Sequence, residues 1–217
     1  TLAELRNCQI ISISGGEPLL HPELLDILRH IRSMGLLPFV HTNGLLLTPE
    51  LIIKLKEAGL SGLIIRVDSL SGNRSKTEAD LHSLRKKYGE MVAAVKGIHL
   101  TYLCVVNAEN LKEVPDVFQW CIEHAHLVDF ITFIPMRQVK FAAEDVVDTS
   151  QWITLEDLCE VVAKDLPDIK YASFLGSKLQ NAKIQWLQAP WVVLNGEIIG
   201  YPGPKFVELF QMLHHLF

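Results

Sequence analysis

Cysteine is scarce and badly spaced for metal work. The four in this 217-residue chain, Cys8, Cys104, Cys121 and Cys159, form no zinc-ribbon, CxxC or ferredoxin-type run. Their spacing reads as free thiols in a reducing, cytoplasmic setting, and no metal ligands are assigned within the chain. Cationic charge is short as well. Lys and Arg number 20 against 25 Asp and Glu, a net charge of −5, and no basic stripe is present to neutralise phosphates. Nucleic acid is therefore not expected as a partner. The densest cationic stretch, Arg85-Lys86-Lys87, falls in a helical pattern that also holds Glu78, Asp80 and Glu90, and reads as a solvated helix face. No apolar run is long enough to span a bilayer, no signal peptide is present, and low-complexity segments are missing. What remains is 49% hydrophobic and 21% charged, the balance of a globular protein with a substantial core. The chain opens on Thr-Leu-Ala-Glu and closes on the apolar "FVELFQMLHHLF". Both ends read as cut from something longer.

Strand and helix patterns alternate at short intervals. "CQIISIS" is an Ile-rich apolar run that reads as a buried strand. After Gly15-Gly16, "PELLDILRHIRSMG" repeats Leu and Ile at helical spacing until Gly35. "LPFVHT" is the next strand, and Thr48-Pro49-Glu50 caps the helix "LIIKLKEAGL". "GLIIRVD" follows as a strand, and Thr77 with Asp80 has the form of a capping box for a helix reaching about Val95. "IHLTYLCVV", the helix "LKEVPDVFQWCIEHA" and the strand "LVDFITFIPM" complete the series. Five βα-type units with apolar strands call for a parallel sheet covered by helices. After Arg137 the rhythm changes: a loop, a helix opened by Thr154 and Asp157, then "WVVLNGEIIGYPG" with the Asn195-Gly196 hairpin signature. The expected division is a core at 1–137 and an extension at 138–217 packed on it.

The segment Gly15-Gly16-Glu17-Pro18 stands where a strand ends. Ligands bind parallel sheets at that carboxyl edge. Two residues without Cβ let polar groups approach the backbone closely. Glu17 offers an acceptor for a cation, and Pro18 stiffens the exit. A tight turn would account for the glycines but not for a carboxylate.

One βα unit later a strand ends in Thr42-Asn43-Gly44. The pairing, within "ISISGGEPLLHPELLDILRHIRSMGLLPFVHTNGLLL", resembles the radical S-adenosylmethionine (radical SAM) superfamily. The resemblance is strongest over residues 9 to 70, extends to about Arg137, and is weak beyond. It implies an α/β fold, a partial (β/α)6 barrel of TIM type, with S-adenosylmethionine and a [4Fe–4S] cluster as cofactors. It further implies that Gly15, Gly16, Glu17 and Pro18 lie along the methionine part of the cofactor and receive its ammonium group, with Thr42 and Asn43 facing the same cleft. The next strand ends "IIRVDS", where family members often show Ser-x-Asp. Asp68 matches the acid, and Arg66 stands in place of the serine. Arg66 and Asp68 share one side of a strand, so an ion pair is the alternative. Asn107 and Pro135 occupy the strand ends that flank the adenine in the family, although both residue types are common in loops.

The family's Cys-x3-Cys-x2-Cys cluster loop is not in this sequence, and none of the four cysteines substitutes for it. The cluster ligands are expected upstream of residue 1, and the fragment alone is expected to be inactive. His124-x-His126 lacks the spacing of a metal pair on a helix face, and His41, His214 and His215 read as ordinary histidines. The implied activity is reductive cleavage of S-adenosylmethionine to a 5′-deoxyadenosyl radical that abstracts hydrogen from a small-molecule, lipid or peptide substrate, with a reductant protein as partner. Another S-adenosylmethionine-dependent reaction on the same barrel is the enzymatic rival. A non-catalytic α/β binding or interaction module derived from that fold is the alternative from a different class.

Overall fold

The structure, a computed structural model, describes residues 8–71, 76–136 and 149–166 and the backbone of four short strands further on. The chain divides into two compact units, Thr1–Leu155 and Glu156–Phe217. The boundary expected at 137/138 lies outside the described residues.

In the first unit, five strands follow one another in space as they do in sequence: β1 (Ile10–Ile13), β2 (Leu37–Thr42), β3 (Gly62–Arg66), β4 (His99–Val106) and β5 (Phe130–Pro135). Every neighbouring pair is parallel. Parallel neighbours require a crossover between them. These are the helices α1 (Leu24–Ser33), α2 (Pro49–Glu57), α3 (His82–Ala93) and α4 (Val114–Glu123). The five strands form a half-barrel of the α/β class.

One face of the sheet meets the helices. Val40, Leu63, Ile65, Leu100 and Tyr102 alternate along β2 to β4 and are buried against Leu28, Ile52, Leu55, Leu81 and Val92. Each fully buried aliphatic side chain of this kind contributes about 1.5–3 kcal/mol. The other, concave face carries the intervening residues, among them Phe39, His41, Ile64, Arg66, Leu103 and Val105, all only partly buried.

The capping signals in the sequence form the expected bonds. Thr48 accepts a hydrogen bond from Leu51 N at 3.1 Å and caps α2. Thr77 and Asp80 exchange capping bonds: Thr77 N donates to Asp80 Oδ2 at 2.9 Å, and Asp80 N donates to Thr77 Oγ1 at 3.2 Å. A 3-10 turn, Ala79–Leu81, intervenes before α3 begins. Another, Leu111–Glu113, precedes α4 and lets Pro115 sit in that helix's first turn, where no intrahelical N–H is needed.

The expectation for Arg85 is overturned. It is 0% exposed and joins Leu81, Tyr88 and Val92 on the buried stripe of α3. A basic triplet reads as one solvated block only until it is wound at 3.6 residues per turn. Lys86 and Lys87 then point outward while Arg85 points in.

The second unit begins with α5 (Leu155–Asp165), which carries Glu156 and Asp157 in its first turn and Lys164 in its last, matching the helix dipole. Strands β6 (Ala172–Phe174) and β7 (Trp186–Gln188) pair antiparallel, as do β8 (Val192–Leu194) and β9 (Glu197–Gly200). The β8–β9 pair flanks Asn195 and Gly196, which lie outside the described residues.

Candidate functional site: the carboxyl ends of the strands

The expected site residues fall at the carboxyl ends of β1 to β5, and the chemistry there divides into two groups. Gly15 and Gly16 follow β1. Both are exposed, and a Cβ built on either meets no atom within 4 Å, so open space adjoins the backbone. Gly15 has φ +135°, a conformation that side-chain-bearing residues rarely adopt. Glu17 then caps a 3-10 turn, Pro18–Leu20, by accepting from Leu19 N at 3.1 Å.

The Glu17 carboxylate also reaches β2. Its Oε1 accepts from Thr42 Oγ1 at 2.8 Å and its Oε2 from Asn43 N at 2.9 Å. Thr42 is buried, and its hydroxyl in turn accepts from Gly44 N at 3.0 Å. Asn43 Oδ1 accepts from Leu45 N at 2.9 Å, closing an Asx turn. Gly44 has φ +78°, and a Cβ there would lie 2.7 Å from the Tyr88 ring. The carboxylate is therefore the latch between two strand ends, a structural role the sequence does not reveal. Glu17 remains half-buried. Its Oε2 has one protein donor among the described residues, which leaves acceptor capacity for a ligand donor.

At β3 and β4 the acids are enclosed. Asp68 is 0% exposed. Its carboxylate accepts from Leu70 N at 3.0 Å, Val105 N at 3.2 Å and Arg66 Nε at 2.7 Å. The ion pair allowed by strand alternation is present, and Asp68 is consumed by it and by the backbone. Asn107 is also buried. Its N donates to Asn110 Oδ1 at 2.9 Å and its Oδ1 accepts from Glu109 N at 3.0 Å, an Asx turn after β4. Pro135 ends β5 in register with Val106 and is partly buried.

Behind these ends lies a polar cluster not foreseen from the sequence. Glu78 is 1% exposed and accepts from Ser69 N at 2.8 Å and Asn110 Nδ2 at 3.0 Å, with Arg85 as its ion-pair partner. Arg85 also donates to Val67 O at 3.0 Å and Glu78 O at 2.8 Å. Burial by itself would raise the Glu78 pKa. The hydrogen bonds from Ser69 and Asn110 and the Arg85 charge outweigh it, and the pKa lies below the ordinary carboxylate value. The available signal was the face shared by Glu78, Leu81, Arg85 and Tyr88 once the segment is wound as a helix.

His82 borders this cluster, its Nδ1 3.0 Å from Arg85 Nη1 and its Nε2 2.8 Å from Asp116 Oδ2. His124 stacks on Trp120 at 4.2 Å and its Nδ1 meets Trp120 O at 2.9 Å. His41 lies on the concave face, where burial lowers its pKa. Burial pushes the thiol of Cys121 up to about 12 and that of Cys104 well above its ordinary value, so neither is a ready thiolate. Among the described residues no three His, Cys, Asp or Glu side chains group as a metal site. No helix of the described residues is long and apolar enough to cross a membrane.

Residues 1–121, more than half of the chain, match the family model described as the radical SAM superfamily. The chain belongs to that superfamily. It is similar to a GTP 3',8-cyclase of Microcystis aeruginosa, 33% identical over 159 residues that make up 67% of this chain and 45% of that protein. It is also similar to an AdoMet-dependent heme synthase of Methanosarcina barkeri, 28% identical over 130 residues, 58% of this chain and 36% of that protein. Among solved structures it is similar to a domain of pyruvate-formate lyase-activating enzyme from Bacteroides vulgatus, with TM-score 0.46 and 20% identity over 71% of this chain and 93% of that one. The chain spans less than half the length of the two curated relatives.

The superfamily implies S-adenosylmethionine and a [4Fe–4S] cluster. The ends of β1 and β2 fit the first: bare backbone opens on free space at Gly15 and Gly16, and a carboxylate with spare acceptor capacity stands beside it. The described residues do not fit the second, since none of their cysteines cluster.

Proposed function

We propose that the full-length protein is a radical SAM enzyme whose cofactor's methionine portion lies along Gly15 to Pro18, with Thr42 and Asn43 at its flank. The observation that carries this reading is the Glu17 latch. Its carboxylate is held by Leu19, Thr42 and Asn43 beside two glycines that leave open space, in a chain of this superfamily. An α-ammonium group calls for such a carboxylate, and a charge-assisted contact is among the stronger single interactions available. Held there and given one electron, S-adenosylmethionine would be cleaved to methionine and a 5′-deoxyadenosyl radical able to abstract hydrogen. The chain's own residues bind and orient it: Glu17 holds the ammonium, the glycines admit the backbone-side approach, and the apolar concave residues Ile64, Leu103 and Val105 limit water.

Asp68 and Asn107 act in this reading through the strand ends they shape, and Pro135 flanks the adenine. The substrate is a small molecule, lipid or peptide. A cytoplasmic reductant protein supplies the electron. The two curated relatives are named for different reactions, so no substrate passes from them to this chain.

The test is anaerobic incubation of the reduced, cluster-loaded full-length protein with S-adenosylmethionine. Slow release of 5′-deoxyadenosine is expected even without substrate. Formation of S-adenosylhomocysteine would instead indicate methyl transfer. Recovery of the cofactor intact, with and without candidate substrates, would contradict the enzymatic reading in favour of a binding module.

A further inference from the structure

One histidine stands between the protein surface and the buried arginine that holds the ends of β3 and β4. The terminal N–H groups of Arg85 are all committed. Nη2 donates to Val67 O at 3.0 Å and to the Glu78 carboxylate. Nη1 donates to Glu78 O at 2.8 Å and meets His82 Nδ1 at 3.0 Å. A guanidinium offers no acceptor, so His82 Nδ1 accepts this bond and carries no hydrogen. The ring's hydrogen is then on Nε2, which donates to Asp116 Oδ2 at 2.8 Å. These partners admit one form of the side chain, the neutral Nε2–H tautomer.

A second proton would land on Nδ1, the atom that faces Arg85. One Nη1–H then loses its acceptor and meets a like charge at hydrogen-bond distance. Arg85 has no slack to absorb this, because its Nε is already buried without a partner among the described residues. Unpartnered donors on a buried charge are costly. What Arg85 holds lies at the carboxyl edge of the sheet. Val67 follows β3 directly, and Glu78 accepts from Ser69 N at 2.8 Å and from Asn110 Nδ2 at 3.0 Å. Asn110 Nδ2 also donates to Val105 O on β4 at 3.1 Å. His82 is within reach of water, its side chain 20% exposed. Trp120 stacks on its ring without adding charge. The charged groups that face the ring are Asp116 from α4, Arg85 from α3 and Glu78 from the turn before it. The two acids favour a proton there and Arg85 opposes it.

We propose that His82 is a proton-operated catch for the carboxyl ends of β3 and β4. When neutral, it completes the bonding of Arg85 and both ends are held. When protonated, it drives Arg85 off, and the contacts of Ser69 and Asn110 to Glu78 loosen with it. The released form takes up the proton more readily than the held form, so falling pH favours release. The catch is independent of what the cleft binds.

The experiment follows amide hydrogen exchange of the full-length protein from pH 7.5 to about 5, corrected for the intrinsic rate, with the His82 ring monitored by NMR. The Ser69 amide, which donates to Glu78, should lose about ten- to hundredfold in protection as the ring protonates, with one midpoint for both. The Ile52 amide, bonded to Thr48 O at the start of α2, should keep its protection, which separates local release from general unfolding. His82→Gln can still donate to Asp116 but takes up no proton, and should abolish the pH response at Ser69. Asp116→Asn removes a charge that favours protonation, and should move the midpoint to lower pH. If His82→Gln does not fold, the Asp116→Asn shift decides. A merely structural histidine would leave the protection of Ser69 independent of the state of the ring. Four results each overturn the proposal: a neutral ring with its hydrogen on Nδ1, a ring that stays neutral down to about pH 5, protection at Ser69 that does not follow the ring, or Ile52 losing protection together with Ser69.

Discussion

At the ends of β1 and β2 the joining carboxylate is half-buried, has an oxygen with spare capacity, and stands beside glycines that open on space. At the ends of β3 and β4 the joining carboxylates, Asp68 and Glu78, are 0% and 1% exposed, and protein donors surround them. Both regions use an acid to tie one strand end to the next, yet only the first leaves the acid open to a ligand. Position at the carboxyl edge of a sheet is thus shared by an acid left open to a ligand and acids enclosed as braces, and exposure with unused hydrogen-bonding capacity separates them.

The difference can be broken from the bracing side first. Glu78→Gln leaves the Arg85 guanidinium buried without its counter-charge, a loss of about 3–5 kcal/mol. A large drop in the urea midpoint of the full-length protein is expected, and a small one would mean that the pair is not a brace. Gly44→Ala comes next. It forces a Cβ into φ +78° and against the Tyr88 ring, and should lower stability by about 2 kcal/mol in the same assay. Thr42→Val removes one of the three donors to Glu17. The expected cost is about 1–2 kcal/mol, and it should be accompanied by weaker cofactor binding, which neither of the first two changes would cause directly.

The smallest effect is one of pH. Burial lowers the His82 pKa, opposed by its hydrogen bond to Asp116 and reinforced by the Arg85 charge, while Glu78 also faces it. The folded state thus binds this proton less readily than the unfolded chain. Stability from His82 is complete above its ordinary value of 6.5 and declines as pH falls through the lowered folded value. Urea midpoints measured at pH 7.5 and 5.5 should show this decline in the wild type and a shallower one in His82→Gln.

Much of the first unit was legible in the sequence because local rules govern it. The residues "LPFVHT" are β2 to the residue, and the Thr48 and Thr77–Asp80 caps sit as read. The two motifs were recognisable as a pair, but the cause of their pairing was not. Glu17 and Thr42 are 25 residues apart, and only the parallel register of β1 on β2 brings carboxylate to hydroxyl. Asp68 and Arg66 could be placed on one side of a strand, while the burial of Asp68 depends on Val105 N arriving from β4. The burial of Arg85 is hidden in the sequence because the three charges are contiguous along the chain and separate only around the helix.

In the proposed function Glu17, and not the buried acids, meets the cofactor's ammonium group. The affinity of full-length Glu17→Gln for S-adenosylmethionine tests it most directly, provided thermal unfolding shows the variant to be folded. Loss of the charged partner should weaken binding about ten- to hundredfold. An affinity equal to that of the wild type would contradict the claim and reduce Gly15 to Pro18 to a turn.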